Sequence, residues 1–335
     1  MPKIQVRQRF GALPAYLGGK RRLCPLIFSL LSESLPRECW SASTLLDPFC
    51  GGGAVALYAK AQGLRVVASD AAERSAVVAR ALIANSSCHL RREDVLDLFR
   101  DPFEGYPRTA VGHSPAVFTD QQAEWLDRAL ARSDRRGEPI RSLLRLLIIK
   151  VALRLQPMSM LRGTDARAAA TGDYDKVSPR RLGHYLKARR LLTLEGVWSV
   201  AQEVNAGVFG GRGEAHQGDA REPIARTQAD VLYLDPPYAG TTAYDKEYAV
   251  LDDILGDGAE FGLPPSLDEL LEAASHIPLV LLSYGGPTVN LDSLIVQVRR
   301  HRPVRRALAI PYPHLGSIAS AAKTAENKEY IVVAG

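Results

Sequence analysis

Asp235, Pro236, Pro237 and Tyr238 follow directly on the apolar run Val231-Leu232-Tyr233-Leu234, which reads as a buried parallel strand. Two consecutive prolines cannot continue a hydrogen-bonded ladder, so the chain leaves the sheet there with a carboxylate, two peptide carbonyls and an aromatic ring held stiffly together. This group suits a flat ring bearing an amino substituent. The carboxylate and a carbonyl accept its two hydrogens, and the tyrosine face stacks on the ring. The same four residues also make an ordinary strand-ending turn, so the motif needs company before it means chemistry.

Company comes from Leu45 to Val55, Leu-Leu-Asp-Pro-Phe-Cys-Gly-Gly-Gly-Ala-Val, which reads as strand, glycine-rich turn and helix. Glycines at 51 and 53 let backbone approach a ligand closely, and the helix predicted over Ala54 to Gln62 points its amino end at the turn. No Lys-Ser/Thr pair follows, which excludes a Walker-type phosphate loop. A second predicted strand, Leu64 to Asp70, ends in an acid about 20 residues on, the spacing of a carboxylate that binds ribose hydroxyls. Asp70 also reads as a cap for a helix over Ala71 to Asn85.

A third element, Tyr16-Leu17-Gly18-Gly19-Lys20, precedes both. With it the chain resembles the alpha-class, Dam-like N6-adenine DNA methyltransferases. In that family an aromatic-x-Gly-Gly-Lys segment, an Asp-Pro-Phe-x-Gly-x-Gly turn, an acidic strand end, a target-recognition insert and Asp-Pro-Pro-Tyr come in this order. The resemblance covers residues 14 to 85 and about 215 to 335. It implies a Rossmann-like, mostly parallel α/β sheet of the S-adenosylmethionine-dependent type with an inserted, mainly helical target-recognition domain. The catalytic domain is expected over 1–88 and 213–335, and the insert over 89–212.

The same resemblance implies that Tyr16, Lys20, Asp47, Phe49, Gly51 and Gly53 line the S-adenosylmethionine site, with Lys20 near the methionine carboxylate. Asp70 takes the ribose hydroxyls, and Asp219 approaches the cofactor's adenine. On turn chemistry alone Asp219 reads as a surface turn acid after a glycine. Ser283-Tyr284, after a strand predicted over Pro278 to Leu282, resembles a later family motif, and with Gly285 also reads as a turn. Asp235, Pro236, Pro237 and Tyr238 are the catalytic set: methyl transfer runs directly to N6 of an adenine turned out of double-stranded DNA. No metal is required. A cognate restriction endonuclease is the partner such enzymes imply.

Composition agrees. A chain of 335 residues, 46% hydrophobic, buries a substantial core and suits one large domain with a smaller one. Cys24, Cys39, Cys50 and Cys88 show neither CxxC spacing nor paired histidines, which excludes a familiar zinc or disulfide framework and favours the cytoplasm. Met1 to Phe10 has no apolar signal core, and the apolar stretch Leu143 to Leu155 is broken by Arg145, Lys150 and Arg154, so no membrane span is expected.

Charge is uneven. Between Arg135 and Arg190, 14 Lys/Arg stand against four acids, a net +10 against +5 for the whole chain. A polyanion is the natural partner of such a segment, although most charge runs are solvated helix faces. Helices are predicted over Ile140 to Leu155 and from Ser178-Pro179 to about Glu203. Between them Arg162 to Val177 reads as a loop able to enter a DNA groove, which makes Arg162, Arg167, Lys176, Arg180 and Arg181 the candidate DNA contacts. Trp125 and Trp198 read as core residues. Arg299, Arg300, His301, Arg302, Arg305 and Arg306 form a second basic patch, either touching phosphates or ending a strand. Two other readings stay open: an RNA adenine N6-methyltransferase, and a nucleic-acid-binding protein that keeps the fold without turnover. Cytosine N4 offers the same two amino hydrogens.

Overall fold

The structure, a computed structural model, describes residues 8–100, 105, 107–114, 116–156, 168, 172–177, 179, 183, 188, 190–238, 244–256, 265–285, 289–311 and 328–335. Among them lie seven strands: β1 Thr44–Asp47, β2 Arg65–Asp70, β3 Gly213–Gln217, β4 Val231–Leu234, β5 Leu279–Gly285, β6 Val304–Pro311 and β7 Lys328–Ala334. They form one sheet in the order β3-β2-β1-β4-β5-β7-β6. The first five run parallel, and β7 is antiparallel to both its neighbours. This is the mostly parallel α/β sheet that the sequence predicts. The chain steps outward from β1 to β2 and β3, then returns to lay β4 on the other side of β1. Parallel strands on either side of such a reversal open a crevice beyond their carboxyl ends, where ligands bind.

The sheet is buried on both faces, so its central strands are apolar throughout rather than alternating. Their side chains still divide by the period of two: Leu45, Val231, Tyr233, Leu279 and Leu281 enter one core cluster, and Leu46, Leu232, Leu234, Val280 and Leu282 enter the other. The helix Ala54–Gln62 starts at Gly53 and stops at Gly63, both in the left-handed region. Its Lys60 is buried, with Nζ bonded to the Leu82 and Asn85 carbonyls at 2.9 and 2.7 Å. Those carbonyls lie at the end of the next helix, which runs as α over Glu73–Val78 and as π over Ala79–Ala84.

Ile140–Leu155 is helical over the predicted span. It does not stand apart from the sheet: Leu143, Leu146, Leu147, Val151 and Leu155 belong to the same core cluster as Leu45 and Val231, as do Trp125 and Val197. Trp198 packs against that cluster. The helix predicted to run unbroken to Glu203 is corrected. Residues 190–193 form turn and bend, and Leu194–Ala206 begins afresh with Thr193 Oγ1 accepting from Gly196 N. A Thr followed by Leu-Glu-Gly is a capping sequence, and the cap ends the preceding segment.

Two cations of the basic run, Arg145 and Lys150, are turned inward. Arg145 is buried against Glu73 and Asp134. Lys150 bonds the Gly11 and Leu13 carbonyls and lies 3.4 Å from Glu203, which also pairs with Arg154. The second basic patch sits at the sheet edge opposite Asp235, since Val304 and Val280 both pair with Ala334. There Arg302 holds the Ile277 and Ala274 carbonyls and His301 pairs with Asp268. It ends a helix and opens a strand.

Candidate active site

The carboxyl ends of β1, β2 and β4 deliver Asp47, Asp70 and Asp235 to the crevice at the point of reversal. Between them runs the glycine turn. Gly51 has φ +48 and Gly53 φ +76, conformations that disfavour any side chain. A Cβ at Gly52 would lie 2.6 Å from Tyr16 Cβ, and one at Gly51 2.9 Å from Tyr16 Cε1. The close approach that the glycines permit is therefore made by Tyr16. The turn is fastened to β2 by Gly51 N donating to Asp70 Oδ2 at 2.8 Å, and the other Asp70 oxygen accepts from Ala72 N at 3.0 Å. Asp70 thus links the turn, the strand and the entry to the next helix. Phe49 lies half-buried against the second core cluster.

Tyr16 stacks on Tyr248 with ring centroids 5.1 Å apart, and Tyr248 Oη accepts from Leu17 N at 2.8 Å. Tyr248 comes from the helix Tyr244–Leu255. Arg74 lies 4.3 Å from the Tyr248 ring centroid and pairs with Asp252. Sequence reasoning missed Tyr248. Its signal was an aromatic in the helix that follows Asp-Pro-Pro-Tyr.

Lys20 reaches into the middle of this group. Its Nζ is 3.0 Å from Gly18 O, 2.8 Å from Asp235 Oδ1, 2.9 Å from Tyr238 Oη and 3.4 Å from Glu329 Oε1. The ammonium expected beside a methionine carboxylate is in contact with residues of the predicted catalytic set. Tyr238 Oη lies 2.8 and 3.0 Å from the two Glu329 oxygens and 3.3 Å from Asp235 Oδ1, and its ring centroid is 5.2 Å from that of Tyr284. Tyr284 reaches it because β5 runs on to Gly285, so Ser283-Tyr284 is strand rather than turn. Ser283 is buried and accepts from Tyr233 Oη at 2.9 Å.

Glu329, fully buried on β7 opposite Gly285, was also missed by sequence reasoning. A lone acid at the head of the last apolar run was its only mark.

The electrostatics follow from crowding carboxylates in a dry crevice. Burial, then the nearby Asp235 and Asp70, pushes Asp47 well above the usual carboxylate range. Its Oδ1 is buried with no hydrogen-bond partner among the described residues. Burial raises Asp70 too, against the opposing bonds from Gly51 and Ala72. Burial pushes Glu329 up to about 7, with Lys20 opposing and Asp235 adding to the rise. Tyr238 rises through burial and the charges of Asp235 and Glu329. Several acids facing one ammonium make a site that favours a cationic, hydrogen-donating ligand.

Asp219 lies beside Asp70 on the same sheet edge, next to Gly218, whose N donates to Asp70 O at 3.1 Å. Its carboxylate pairs with Arg221 at 2.5 Å and accepts from Arg221 N, which opens the short helix Arg221–Arg226. Lys176 is exposed and pairs with Asp173 at 2.5 Å. Arg162, Arg167, Arg180 and Arg181 lie outside the described residues. Among the described residues no helix is long and apolar enough to cross a membrane, and no group of three or more His, Cys, Asp or Glu is arranged to hold a metal ion.

Comparison with known proteins agrees with this geometry. Residues 16–149 match the family profile described as D12 class N6 adenine-specific DNA methyltransferase. The chain is also 25% identical over 335 residues to the Type II methyltransferase M2.HphI of Haemophilus parahaemolyticus, an alignment that covers 94% of each chain.

Proposed function

We propose, from the match of residues 16–149 to the profile of D12 class N6 adenine-specific DNA methyltransferases, that Asp235, Pro236, Pro237 and Tyr238 receive an extruded adenine and methylate its amino nitrogen at a specific DNA sequence. The observation that carries this reading is the position of Asp235. It stands at the switch point of the sheet, beside the glycine turn, with its carboxylate held by Lys20.

S-adenosylmethionine supplies the electrophilic methyl group. The residues fit it: the unpartnered buried oxygen of Asp47 and the acid end of β2 are acceptors suited to a ligand with ammonium, sulfonium and ribose hydroxyl groups. Tyr16, Phe49, Gly51 and Gly53 would wall its site, with Asp47, Asp70 and Asp219 as polar partners. Lys20 borders the site and orients Asp235 from beneath.

The adenine amine is a poor nucleophile because its lone pair is delocalised into the ring. Asp235 and the Pro236 carbonyl accept its two hydrogens, which favours the tetrahedral nitrogen of the transition state. Tyr238 offers a face for the base, a contact of roughly 1 to 3 kcal/mol in single-strand binding proteins. Its ring is buried in the free protein, so base capture requires that ring to be uncovered when DNA binds.

The segment 89–212 supplies target recognition in this reading. The candidate DNA contacts are Lys176, which is exposed, and, from sequence, Arg162, Arg167, Arg180 and Arg181. The similarity to a Type II methyltransferase supports pairing with a cognate restriction endonuclease, and the cytoplasm is where that pairing operates.

The test is transfer from labelled S-adenosylmethionine to pooled duplexes, with matched RNA as the second pool. Label on N6-methyladenine at one duplex sequence is expected. Label in RNA or on cytosine reassigns the target, and label in neither pool leaves a binding protein.

A further inference from the structure

Once the amine nitrogen has gained its methyl group it carries a positive charge and one hydrogen too many. That proton must go somewhere, and the first acceptor in contact is Asp235. Behind Asp235 the structure places a second carboxylate that the reading above does not use. Glu329 is 0% exposed. Its two oxygens lie 2.8 and 3.0 Å from Tyr238 Oη, which is itself 3.3 Å from Asp235 Oδ1. The Tyr238 hydroxyl therefore spans the two carboxylates. Lys20 braces the group from the side, 2.8 Å from Asp235 and 3.4 Å from Glu329.

We infer that Glu329 is a positioning residue with a proton-accepting role: the proton released by the methylated amine to Asp235 passes through the Tyr238 hydroxyl and comes to rest on Glu329. The inference rests on the function proposed above. The balance is simple. An N–H bond breaks at the amine and an O–H bond forms on Asp235. Asp235 then returns its proton to Tyr238 oxygen as the tyrosine gives its own to Glu329, so Asp235 is again a carboxylate and Glu329 a neutral acid.

Charge counting supports the direction. Lys20, Asp235 and Glu329 together carry a net charge of one negative unit in a mostly buried cluster, and one added proton neutralises it. Among the described residues the titratable groups facing Glu329 include Lys20, Asp235, Tyr238 and, from β4, Tyr233. Its partner positions on the flanking strands are Gly285 and Ile310, which carry no charge. Burial and Asp235 together hold Glu329 near 7 despite Lys20, so at neutral pH a large share of it is ready to accept.

The experiment is single-turnover methylation at saturating adenine duplex between about pH 6 and pH 9, with wild type, Glu329→Gln and Glu329→Asp. Infrared difference spectra of the free protein are recorded over the same range. Wild type should show a rate that falls about tenfold per unit below about pH 7 and levels off above it. Glu329→Gln should lose that limb and run about 10- to 100-fold slower on the plateau. Glu329→Asp should restore a limb at a displaced pH. The free wild-type protein should show a buried carboxylic C=O band that titrates near pH 7 and is absent from Glu329→Gln. Wild type that methylates DNA at a pH-independent rate, or lacks the titrating band, overturns the relay and leaves the function standing. A Glu329→Gln profile like wild type does the same. Wild type that methylates no DNA overturns the function and the relay with it. If Glu329→Gln does not fold, the wild-type profile and band decide alone.

Discussion

Lys20 Nζ lies 2.8 Å from Asp235 Oδ1 across 215 positions of sequence. The lysine is almost fully buried, whereas the Asp235 side chain keeps 19% of its surface open. The pair is thus sealed on the protein side and approachable from the crevice. Burying an ammonium is costly unless its protons find acceptors, and here they find Gly18 O, Asp235, Tyr238 and Glu329. The first motif of the chain therefore orients the carboxylate of the last one.

Asp235→Asn keeps the shape of the side chain but replaces an anionic acceptor with an amide and removes the counter-charge of Lys20. Single-turnover methylation should fall by about two to three orders of magnitude, the effect of losing one transition-state hydrogen bond. Calorimetric titration with S-adenosylmethionine should change far less. Full activity in Asp235→Ala would remove the carboxylate from the chemistry.

Asp70→Ala should weaken S-adenosylmethionine binding and lower stability together, because one carboxylate both faces the crevice and accepts from Gly51 and Ala72. Each effect should be about 1.5 to 3 kcal/mol, the range for bonds to a charged group. Titration calorimetry and thermal melting measure the two. Unchanged affinity with lowered stability would confine Asp70 to holding the turn.

From sequence, Tyr238→Phe is expected to be mild, since the ring that stacks is retained. The structure argues otherwise, because the hydroxyl is the donor to Glu329. Deleting it removes a partner from a buried carboxylate, at a cost of about 1 to 3 kcal/mol. Tyr238→Phe and Glu329→Gln should couple by about 0.5 kcal/mol or more in a double-mutant cycle of denaturant unfolding. Simple additivity would show that the bond contributes nothing.

Replacing Arg162, Arg167 and Lys176 by Gln should reduce DNA affinity and flatten its dependence on salt. Each lost phosphate contact should change the log-log slope by about 0.9 in anisotropy titrations. Arg154→Gln should leave the slope unchanged, since Arg154 is engaged by Glu203. Equal slopes for the triple variant and the parent would place the duplex elsewhere.

Glu329 also predicts a pH dependence of stability. Its carboxyl is raised from 4.5 to about 7 in the folded protein, so the folded state binds the proton more tightly than the unfolded one. Its contribution is fully present below about 4.5 and is lost as pH rises through about 7. Urea unfolding should show wild type losing more stability than Glu329→Gln between about pH 5 and 8, by at most about 3 kcal/mol. Parallel curves for the two would mean that Glu329 is not shifted.

The parts legible in the sequence were those whose signal is local. Val231–Leu234 and Ile140–Leu155 coincide with the spans that their apolar pattern predicts. The three motifs meet at one crevice because each ends a strand or sits against one. What the sequence did not show is direction. A count of cations cannot tell that Arg145 and Lys150 turn toward Glu73 and Glu203. Glu329 was hidden for a related reason: an acid at the start of an apolar run looks like a solvated strand end until β7 is seen to lie antiparallel beside β5, which brings its first residues to Tyr238. The break before Thr193 was readable from its capping sequence, but the long basic pattern around it masked the signal.

The shared core of the sheet and the Ile140–Leu155 helix limits how this protein's DNA preference can be altered. That helix supplies Leu146 and Val151 to the cluster that holds Leu45 and Val231, and it sends Lys150 back to the carbonyls just upstream of Tyr16. Transplanting residues 89–212 from a relative would carry off part of the core shared with the central strands. Exchange confined to residues 157–176 keeps that helix and the buried Val177 and Ala188 in place, so chimaeras built at the narrower seam are the ones that should fold and transfer methyl groups with a new sequence preference.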